Sequence, residues 1–423
     1  MRRLLRAVAV DAGALRESRP FRRLWLSQSI SLVGRQITTV AVPYQVYTLT
    51  RSAFAVGAIG IAQVIPLVTV SLGSGAITDR VDRRKILLAT QFGLACCSAL
   101  LAVGAWLGRP PLLGVYLVVA AAAGVSALDA PTRTAIIPGL VSAERLPGAL
   151  SLNIALFQTA LVAGPALGGL VIAHLGLPVA YLLDVATFIA ALVGVVLLPA
   201  QRPTARQHDP PLAAIRRGLA FARGQPVILG GFAMDLCAMV FGLPRALFPT
   251  LAATLFHTGA QGLGLLYAAP AAGAVAAALT TGWISRVRRL GAVIVVTIAI
   301  WGVAIVAFGF ATSFWVALGL LLVAGAADSL SAVCRSTILQ TIAPDELRGR
   351  LTSVYFMVVV GGPYLGDVEA GAVAAATSAQ ISIVSGGVLC IAGLVAAAYA
   401  FPAVWRYRAA SVRGAGVVRP IEL

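Results

Sequence analysis

The sequence has few charged residues, and acidic residues are especially rare. Charged residues make up 11% of the 423 residues, and only 15 residues are acids. A water-soluble globular protein carries about 25% charged residues. Because 59% of this chain is hydrophobic, it has too little polar surface to cover a body that faces water. The composition therefore excludes a water-soluble protein, soluble enzymes included.

Cysteine and lysine are scarce as well. Lys85 is the single lysine, and the five cysteines lie in or beside apolar segments without the spacing of a metal site. They predict packed thiols, with no metal, no cofactor and no disulfide framework. A net charge of +17 would suit a nucleic-acid partner. The positive residues, however, form short clusters between long apolar stretches, so we expect no nucleic-acid partner.

The long apolar stretches predict an all-α membrane protein with twelve transmembrane helices. The chain has room for twelve spans of about 20 residues, the length that a bilayer core requires. The longest polar break contains an amphipathic stretch, 212–223, which we expect to lie along the membrane surface. The predicted spans are 24–48, 55–78, 86–107, 112–130, 146–174, 178–198, 227–250, 262–284, 291–311, 314–335, 351–375 and 380–405.

The distribution of basic residues predicts the orientation of the spans. With a cytoplasmic N-terminus, the inner segments hold 28 of the 32 basic residues, and the outer loops hold only Arg51 and Arg109. Cytoplasmic loops of membrane proteins carry this excess of arginine and lysine. We therefore expect an even number of spans across the cell inner membrane, with both termini cytoplasmic.

The two halves of the sequence resemble each other. The segment 133–151 matches 335–353, and Pro66 matches Pro270, at offsets of about 200 residues. Such an offset carries six spans onto six with the same orientation, which predicts two six-helix bundles related by an axis along the membrane normal. The expected domains are an N-terminal bundle with a basic cytoplasmic leader (1–198), a cytoplasmic central loop (199–226) and a C-terminal bundle with a basic cytoplasmic tail (227–423).

The connection after the second predicted span carries a glycine, an Asp-Arg pair and a basic cluster. This pattern resembles the major facilitator superfamily signature between helices two and three, although Asp82 stands where the family usually has glycine. The resemblance implies the major facilitator fold and an inner gate held by ionic contacts. We expect Asp129 to pair there with Arg83 or Arg133, the alternative being simple surface exposure. The gate residues are Gly75, Asp79, Arg80, Arg83, Arg84 and Asp129.

The fifth predicted span contains a second motif, formed by Gly164, Pro165, Gly168 and Gly169. It resembles the motif that the superfamily associates with exporters and antiporters. Proline interrupts the hydrogen bonding of a helix and bends it, and glycines let neighbouring helices approach closely. The motif therefore predicts a site of helix flexing, and a simple helix-packing patch is the alternative.

Further segments extend the resemblance over nearly the whole chain. They include 21–24, 264–269 and 340–346, and they look like the drug:proton antiporter branch that holds the enterobactin exporter and macrolide or tetracycline efflux pumps. The resemblance implies export of a small organic molecule driven by proton influx. The expected partners are this substrate, protons and the lipid bilayer, with the protein a monomer.

Charged residues inside the spans are candidates for binding the substrate or the proton, because each costs about 2.5–3.5 kcal/mol to insert at a helix centre. Arg35 and Asp235 lie in the first and seventh spans. We expect them to face each other across the cavity, with Arg35 binding an anionic substrate group or holding Asp235 ionised. A fixed structural ion pair is the alternative.

Four more charged residues lie in the outer parts of spans. Asp367 and Glu369 are two residues apart, so their side chains point in different directions and at most one faces the pathway; we favour Asp367. Asp184 is a further candidate proton carrier. Arg245 is expected to snorkel outward or to pair with Asp184 or Asp367. Solvation at the helix end is the alternative for the carboxylates.

These features predict a secondary transporter that exports its substrate by proton-coupled alternating access. One alternative is an importer or facilitator with the same fold, and another is a non-transporting membrane sensor or accessory protein. An enzyme is not expected, since the sequence has no paired carboxylates, nucleophile triad or phosphate-binding loop.

Overall fold

The computed structural model describes residues 13–78, 80–201 and 211–408, and its regular structure there is entirely helical. The α-helices are α1 (Gly13–Glu17), α2 (Arg19–Thr50), α3 (Ala53–Thr78), α4 (Arg83–Trp106), α5 (Leu112–Ile136), α6 (Leu146–Leu175), α7 (Leu177–Val196), α8 (Pro211–Arg223), α9 (Pro226–Phe241), α10 (Phe248–Thr254), α11 (Gly259–Thr280), α12 (Leu290–Gly309), α13 (Phe314–Ile342), α14 (Asp345–Ala376), α15 (Ala379–Ala400) and α16 (Pro402–Arg406). Short 3₁₀ segments cover Ile137–Gly139, Arg245–Leu247 and Thr281–Arg286.

Ten helical segments in the described part of the chain are long and apolar enough to cross a membrane. They correspond to all the predicted spans except the first and the eleventh, which fall on α2 and α14. An all-α, multi-pass membrane protein is therefore confirmed. The arrangement of twelve spans in two bundles stays a prediction.

Polar side chains keep α2 out of that set of ten. Gln28, Gln36 and Gln45 lie on this helix and are buried, because α2 packs against α6 and α7 along much of its length. The hydroxyl of Tyr181 on α7 donates a hydrogen bond of 2.7 Å to Gln45 Oε1. A long helix that presents polar groups to its neighbours can be buried in protein while it remains less hydrophobic than a lipid-facing helix.

The helices pack mainly within their own half of the chain, with two large contacts between the halves. In the first half, α2 packs on α6 and α7, α4 on α5 and α7, and α3 on α5. In the second half, α13 packs on α11 and α12, α12 on α15, and α9 on α14 and α15. The contacts between halves join α3 to α14 and α6 to α11. These four helices form the main packing contacts between the two halves.

The seventh predicted span, 227–250, is not one continuous helix, which corrects the sequence-based expectation. Helix α9 ends at Phe241, and the chain resumes in a 3₁₀ turn and in α10. Pro244 and Pro249 have no N–H to continue the hydrogen-bond ladder of a helix. The indole N–H of Trp301 on α12 donates a bond of 2.8 Å to the carbonyl oxygen of Gly242, which the break exposes. Because of the break, Arg245 lies in the 3₁₀ turn, where its side chain is partly exposed.

Replacing Trp301 with phenylalanine is expected to lower the free energy of unfolding by about 1–3 kcal/mol, because the buried Gly242 carbonyl then loses its donor. Trp301 is 2% exposed. The thermal stability of the purified protein in detergent measures the loss. Trp315→Phe is the matched control, since Trp315 is 74% exposed and should tolerate the change. Equal stability of the two variants would show that the bond does not secure the break.

The amphipathic stretch predicted at 212–223 forms α8. Its Ala222 is fully buried in a small cluster with Ile228 of α9 and Leu339 of α13. The helix also packs against α14. Its position along a membrane surface stays a prediction.

Candidate transport cavity

A cavity of about 270 Å³ lies between the two halves of the chain. This volume is near the lower end of pockets that bind small organic molecules, about 300–1,000 Å³. Four charged side chains line the cavity: Arg35 and Asp184 from the first half, and Arg245 and Asp367 from the second. Its neutral polar lining consists of Thr38, Thr39, Gln63, Ser98, Ser126, Tyr267 and Tyr364.

Arg35 pairs with a buried carboxylate of its own half. Its Nη2 lies 3.2 Å from Asp129 Oδ2, and Arg133 binds the same oxygen from one helical turn away. The other oxygen of Asp129 accepts bonds of 2.9 Å from the Thr90 hydroxyl and 2.7 Å from the Gln91 amide. The structure selects Arg133 of the two predicted partners of Asp129, and the alternative of surface exposure is wrong because Asp129 is fully buried.

The expected pair of Arg35 with Asp235 does not form, which corrects the prediction. Asp235 is fully buried in the second half, where Arg335 Nη2 lies 2.8 Å from its Oδ1. Arg335 is also 3.6 Å from Asp328 and bonds to the Ser331 hydroxyl at 2.9 Å. Arg35 and Asp235 therefore each form a salt bridge within their own half. A buried charge needs a partner at contact distance, and for both residues that partner lies on a helix of the same half.

The two clusters have opposite charge patterns. Two arginines flank one aspartate in the Arg35–Asp129–Arg133 cluster, whereas two aspartates flank one arginine in the Asp235–Arg335–Asp328 cluster. Arg335 was not among the site residues predicted from the sequence. The repeat offered a signal, because it aligns Arg335 with Arg133.

Arg245 and Asp367 form an ion pair at the cavity wall. The Nη2 of Arg245 lies 2.8 Å from Asp367 Oδ2, so the structure selects Asp367 rather than Asp184 as its partner. The hydroxyl of Tyr267 donates to the Arg245 carbonyl oxygen at 3.2 Å, and the Tyr364 ring centroid is 6.0 Å from the guanidinium carbon. Glu369 is half-buried and is not among the residues that line this cavity.

Hydroxyl groups surround Asp184. Its Oδ2 accepts a bond of 2.6 Å from Thr38 of α2 and one of 2.7 Å from Ser98 of α4. Thr187, one turn along α7, lies 3.4 Å from Oδ1. A Cβ on Gly34 of α2 would lie 2.8 Å from this carboxylate and would also strike Thr187. The bare surface of α2 at Gly34 therefore lets α7 bring Asp184 close.

Two glycine crossings close the contacts between the halves. A Cβ on Gly57 of α3 would lie 3.1 Å from the Cα of Gly371 on α14. A Cβ on Gly169 of α6 would lie 2.9 Å from the Cα of Gly264 on α11. Backbone meets backbone at both crossings, which only residues without side chains allow.

The predicted flexing motif divides its residues between two neighbours. A Cβ on Gly164 would strike the Gln36 side chain, and one on Gly168 would lie 3.0 Å from the Cα of Ile37, so both glycines face α2. Gly169 faces α11, and Pro165 is buried beside the motif glycines. The packing role of the motif is visible in these contacts. Its flexing stays a prediction.

The predicted inner gate is tied to the ends of first-half helices. Arg83 donates to the carbonyl oxygen of Ala135 at 3.0 Å, and Arg84 donates to that of Val196. Asp82 is the N-cap of α4, and its Oδ1 accepts bonds from the backbone N–H of Arg84 (2.9 Å) and of Gln201 (3.0 Å). Asp82 suits this position because an aspartate caps a helix well. Gly75 lies in α3, Arg80 is exposed, and Asp79 is outside the described residues.

The chain is similar to known membrane transporters in sequence and in fold. Residues 13–412 match a family model described as "Transmembrane secretion effector". The enterobactin exporter EntS of Citrobacter koseri is 30% identical over 395 residues, which cover 91% of this chain and 93% of that protein. Among solved structures, a mutant of the nucleoside transporter NupG has a TM-score of 0.73 at 14% identity, covering 92% of this chain and 100% of that one. A bacterial homologue of the iron transporter ferroportin has a TM-score of 0.68 at 16% identity, covering 92% and 99%.

Proposed function

Because the chain belongs to the transmembrane secretion effector family of the major facilitator superfamily, we propose that it exports a small organic molecule across the cytoplasmic membrane by proton-coupled alternating access. Members of this superfamily are multi-pass membrane transporters and not enzymes, and this chain is one of them. We infer the direction of transport and the class of substrate from relatives that are named as enterobactin exporters. The similarity to this chain extends over nearly the whole length of those relatives.

The observation that carries the proposal is the cavity between the halves, which is lined by one arginine and one aspartate from each half. A transporter that alternates its access needs a substrate site that both halves share, because their relative movement then exposes the site to each side in turn. We propose that residues 1–198 and 227–423 form the two six-helix bundles and that the central loop, 199–226, is cytoplasmic.

The glycine crossings suggest how the outer side closes. The basic-residue bias assigns the beginning of α3 and α11 and the end of α6 and α14 to the outer face. Both crossings, Gly57 with Gly371 and Gly169 with Gly264, lie near those ends. We propose that the described form is closed on the outer side. The motif at Gly164–Gly169 is proposed to open and close one crossing, and the loop at Gly75–Arg84 is proposed to gate the inner side.

Transport assays in vesicles test this proposal. Inverted vesicles that contain the protein are expected to take up labelled enterobactin when acidified inside, and to stop when a protonophore collapses the gradient. Right-side-out vesicles that are loaded with labelled enterobactin should release it when an inward proton gradient is imposed. Uptake by right-side-out vesicles would support an importer instead, and lack of transport of enterobactin, macrolides and tetracyclines in either orientation would contradict the proposed class of substrate.

Asp367→Asn is expected to lower the transport rate on the order of tenfold or more, because a loss of about 1.4 kcal/mol from one transport state relative to the other changes their ratio tenfold. Asp367 is bonded to Arg245, and its side chain is 15% exposed in the wall of the cavity. Glu369→Gln on the same helix is the matched control and should transport like the wild type. Equal rates for both variants would remove the Arg245–Asp367 pair from the mechanism.

A further inference from the structure

Asp184 differs from the other aspartates of the predicted spans in the kind of partner it has. Among the described residues, Asp129, Asp235, Asp328 and Asp367 each lie within 4 Å of an arginine nitrogen. The same part of the structure gives Asp184 three hydroxyl neighbours and no such ion pair. Its carboxylate is 1% exposed and yet belongs to the cavity wall. A buried carboxylate without a cationic partner is costly to keep ionised.

The hydrogen-bond distances indicate which ion this site binds. Thr38 and Ser98 approach Asp184 Oδ2 to 2.6 and 2.7 Å, the separation of direct O–H···O⁻ bonds. A hard cation would have to separate these oxygens in order to coordinate them at about 2.3–2.6 Å each. The cluster is therefore shaped for exchange of a proton, not for a metal ion. Thr38 is half-buried and lines the cavity together with Asp184, so the hydrogen-bonded pair lies at the cavity wall.

The protonation state of Asp184 determines the net charge of the cavity wall. Arg35 of α2 and Cys97 of α4 line the same cavity as Asp184, and Tyr181 lies one helical turn before it on α7. Of the charged side chains of described residues that line the cavity, Arg35 and Arg245 are positive and Asp184 and Asp367 are negative. These charges cancel when Asp184 is ionised and leave one positive charge when it is protonated.

We propose that Asp184, in its cradle of Thr38, Ser98 and Thr187, is the proton-binding site that couples transport to the proton gradient. The inference rests on the proposed function and assigns the proton to a residue other than the ion-paired Asp235 or Asp367. Protonation changes the charge of the cavity by one unit, so it changes the affinity for a charged substrate. A proton can drive a conformational change only through such a difference between states.

Infrared difference spectroscopy of the purified full-length protein in lipid tests the site without any substrate. Spectra between about pH 5 and about pH 9 cover the titration of a buried acid. We expect a protonated-carboxyl band in the wild type that is lost in Asp184→Asn and kept in Asp367→Asn and Glu369→Gln. If the protonated-carboxyl spectrum of Asp184→Asn is the same as that of the wild type, the proposal is overturned. A band that responds to sodium in place of choline overturns it as well.

A second variant serves if Asp184→Asn does not fold. Ser98→Ala removes one donor to the ionised carboxylate, so the midpoint of the infrared band should move to higher pH by about one unit. An unchanged midpoint would overturn the proposal. Reconstituted vesicles give the functional result with labelled enterobactin as the probe. Asp184→Asn should still exchange enterobactin across the membrane, at a rate that no longer changes when a proton gradient is imposed.

The two experiments separate the inference from the proposed function. If the wild type moves enterobactin with the gradient and Asp184→Asn does so equally, the proton site is wrong and the exporter stands. If the wild type does not move enterobactin at all, the exporter proposal fails for this probe. The infrared band of Asp184 then still decides whether the residue binds a proton.

Discussion

Gly169→Leu is expected to abolish transport and to leave the cavity open to the outside. A Cβ at this position would lie 2.9 Å from the Cα and 3.0 Å from the N of Gly264, and backbone atoms of a packed helix cannot move aside. Overpacking of this kind costs about 1–3 kcal/mol, and a leucine adds further atoms to the same contact. A cost of that size in the outward-closed state alone shifts a two-state equilibrium by about fivefold to 150-fold.

The native Cys97 reports the change, because its side chain lines the cavity. In a background where the other four cysteines are serine, a membrane-impermeant maleimide added outside should label Cys97 in Gly169→Leu and not in the wild type. Gly57→Leu at the second crossing should behave in the same way. Gly319→Leu is the matched control, since a Cβ at Gly319 of α13 meets nothing within 4 Å. Protection of Cys97 in both crossing variants would show that these glycines do not close the outer side.

Asp129→Ala is expected to lower the free energy of unfolding by about 3–5 kcal/mol, the cost of breaking a buried ion pair from one side. The change strands Arg133, whose side chain is 9% exposed, and takes the carboxylate from Arg35. It also leaves Thr90 and Gln91 without their acceptor. Thermal unfolding of the purified protein measures the loss, and the yield of folded protein from membranes should fall with it.

Two variants establish that the cause is the stranded charge. Asp129→Ala combined with Arg133→Met should recover part of the stability, because it removes the uncompensated cation along with its partner. Asp328→Asn is the matched control in the other cluster. Its side chain is 34% exposed and lies 3.6 Å from Arg335, so the change should cost less than about 1 kcal/mol. A loss as large for Asp328→Asn as for Asp129→Ala would contradict this account.

Several features of the site followed from local sequence alone. Two residues of separation on a helix place side chains on different faces, and the choice of Asp367 over Glu369 agrees with the cavity lining. The fifth predicted span, 146–174, differs from α6 by one residue at one end. Proline and glycine in the motif at Gly164–Gly169 indicated close helix contacts, which the structure places against α2 and α11.

Other features depended on packing that no local pattern encodes. Arg35 and Asp235 have opposite charges and lie on helices that were expected to face each other. In the structure Arg35 pairs with Asp129 and Asp235 pairs with Arg335, because these partners lie nearer. The break after Phe241 was not predicted, although Pro244 stands close behind it, and only the structure shows the bond from Trp301 to the exposed Gly242 carbonyl oxygen. The hydroxyl cradle of Asp184 draws on three helices and on the bare surface at Gly34.

The sequence by itself determined that the chain is helical and embedded in a membrane, because the transfer free energy of each segment is a sum over its own residues. The family signature likewise stands in one contiguous loop. Only the tertiary structure decided which charges meet and which carboxylate has hydroxyl partners alone. Ion pairs and hydrogen bonds require contact within about 3–4 Å, and helix rotation and crossing, which fix such distances, result from the packing of all neighbours together.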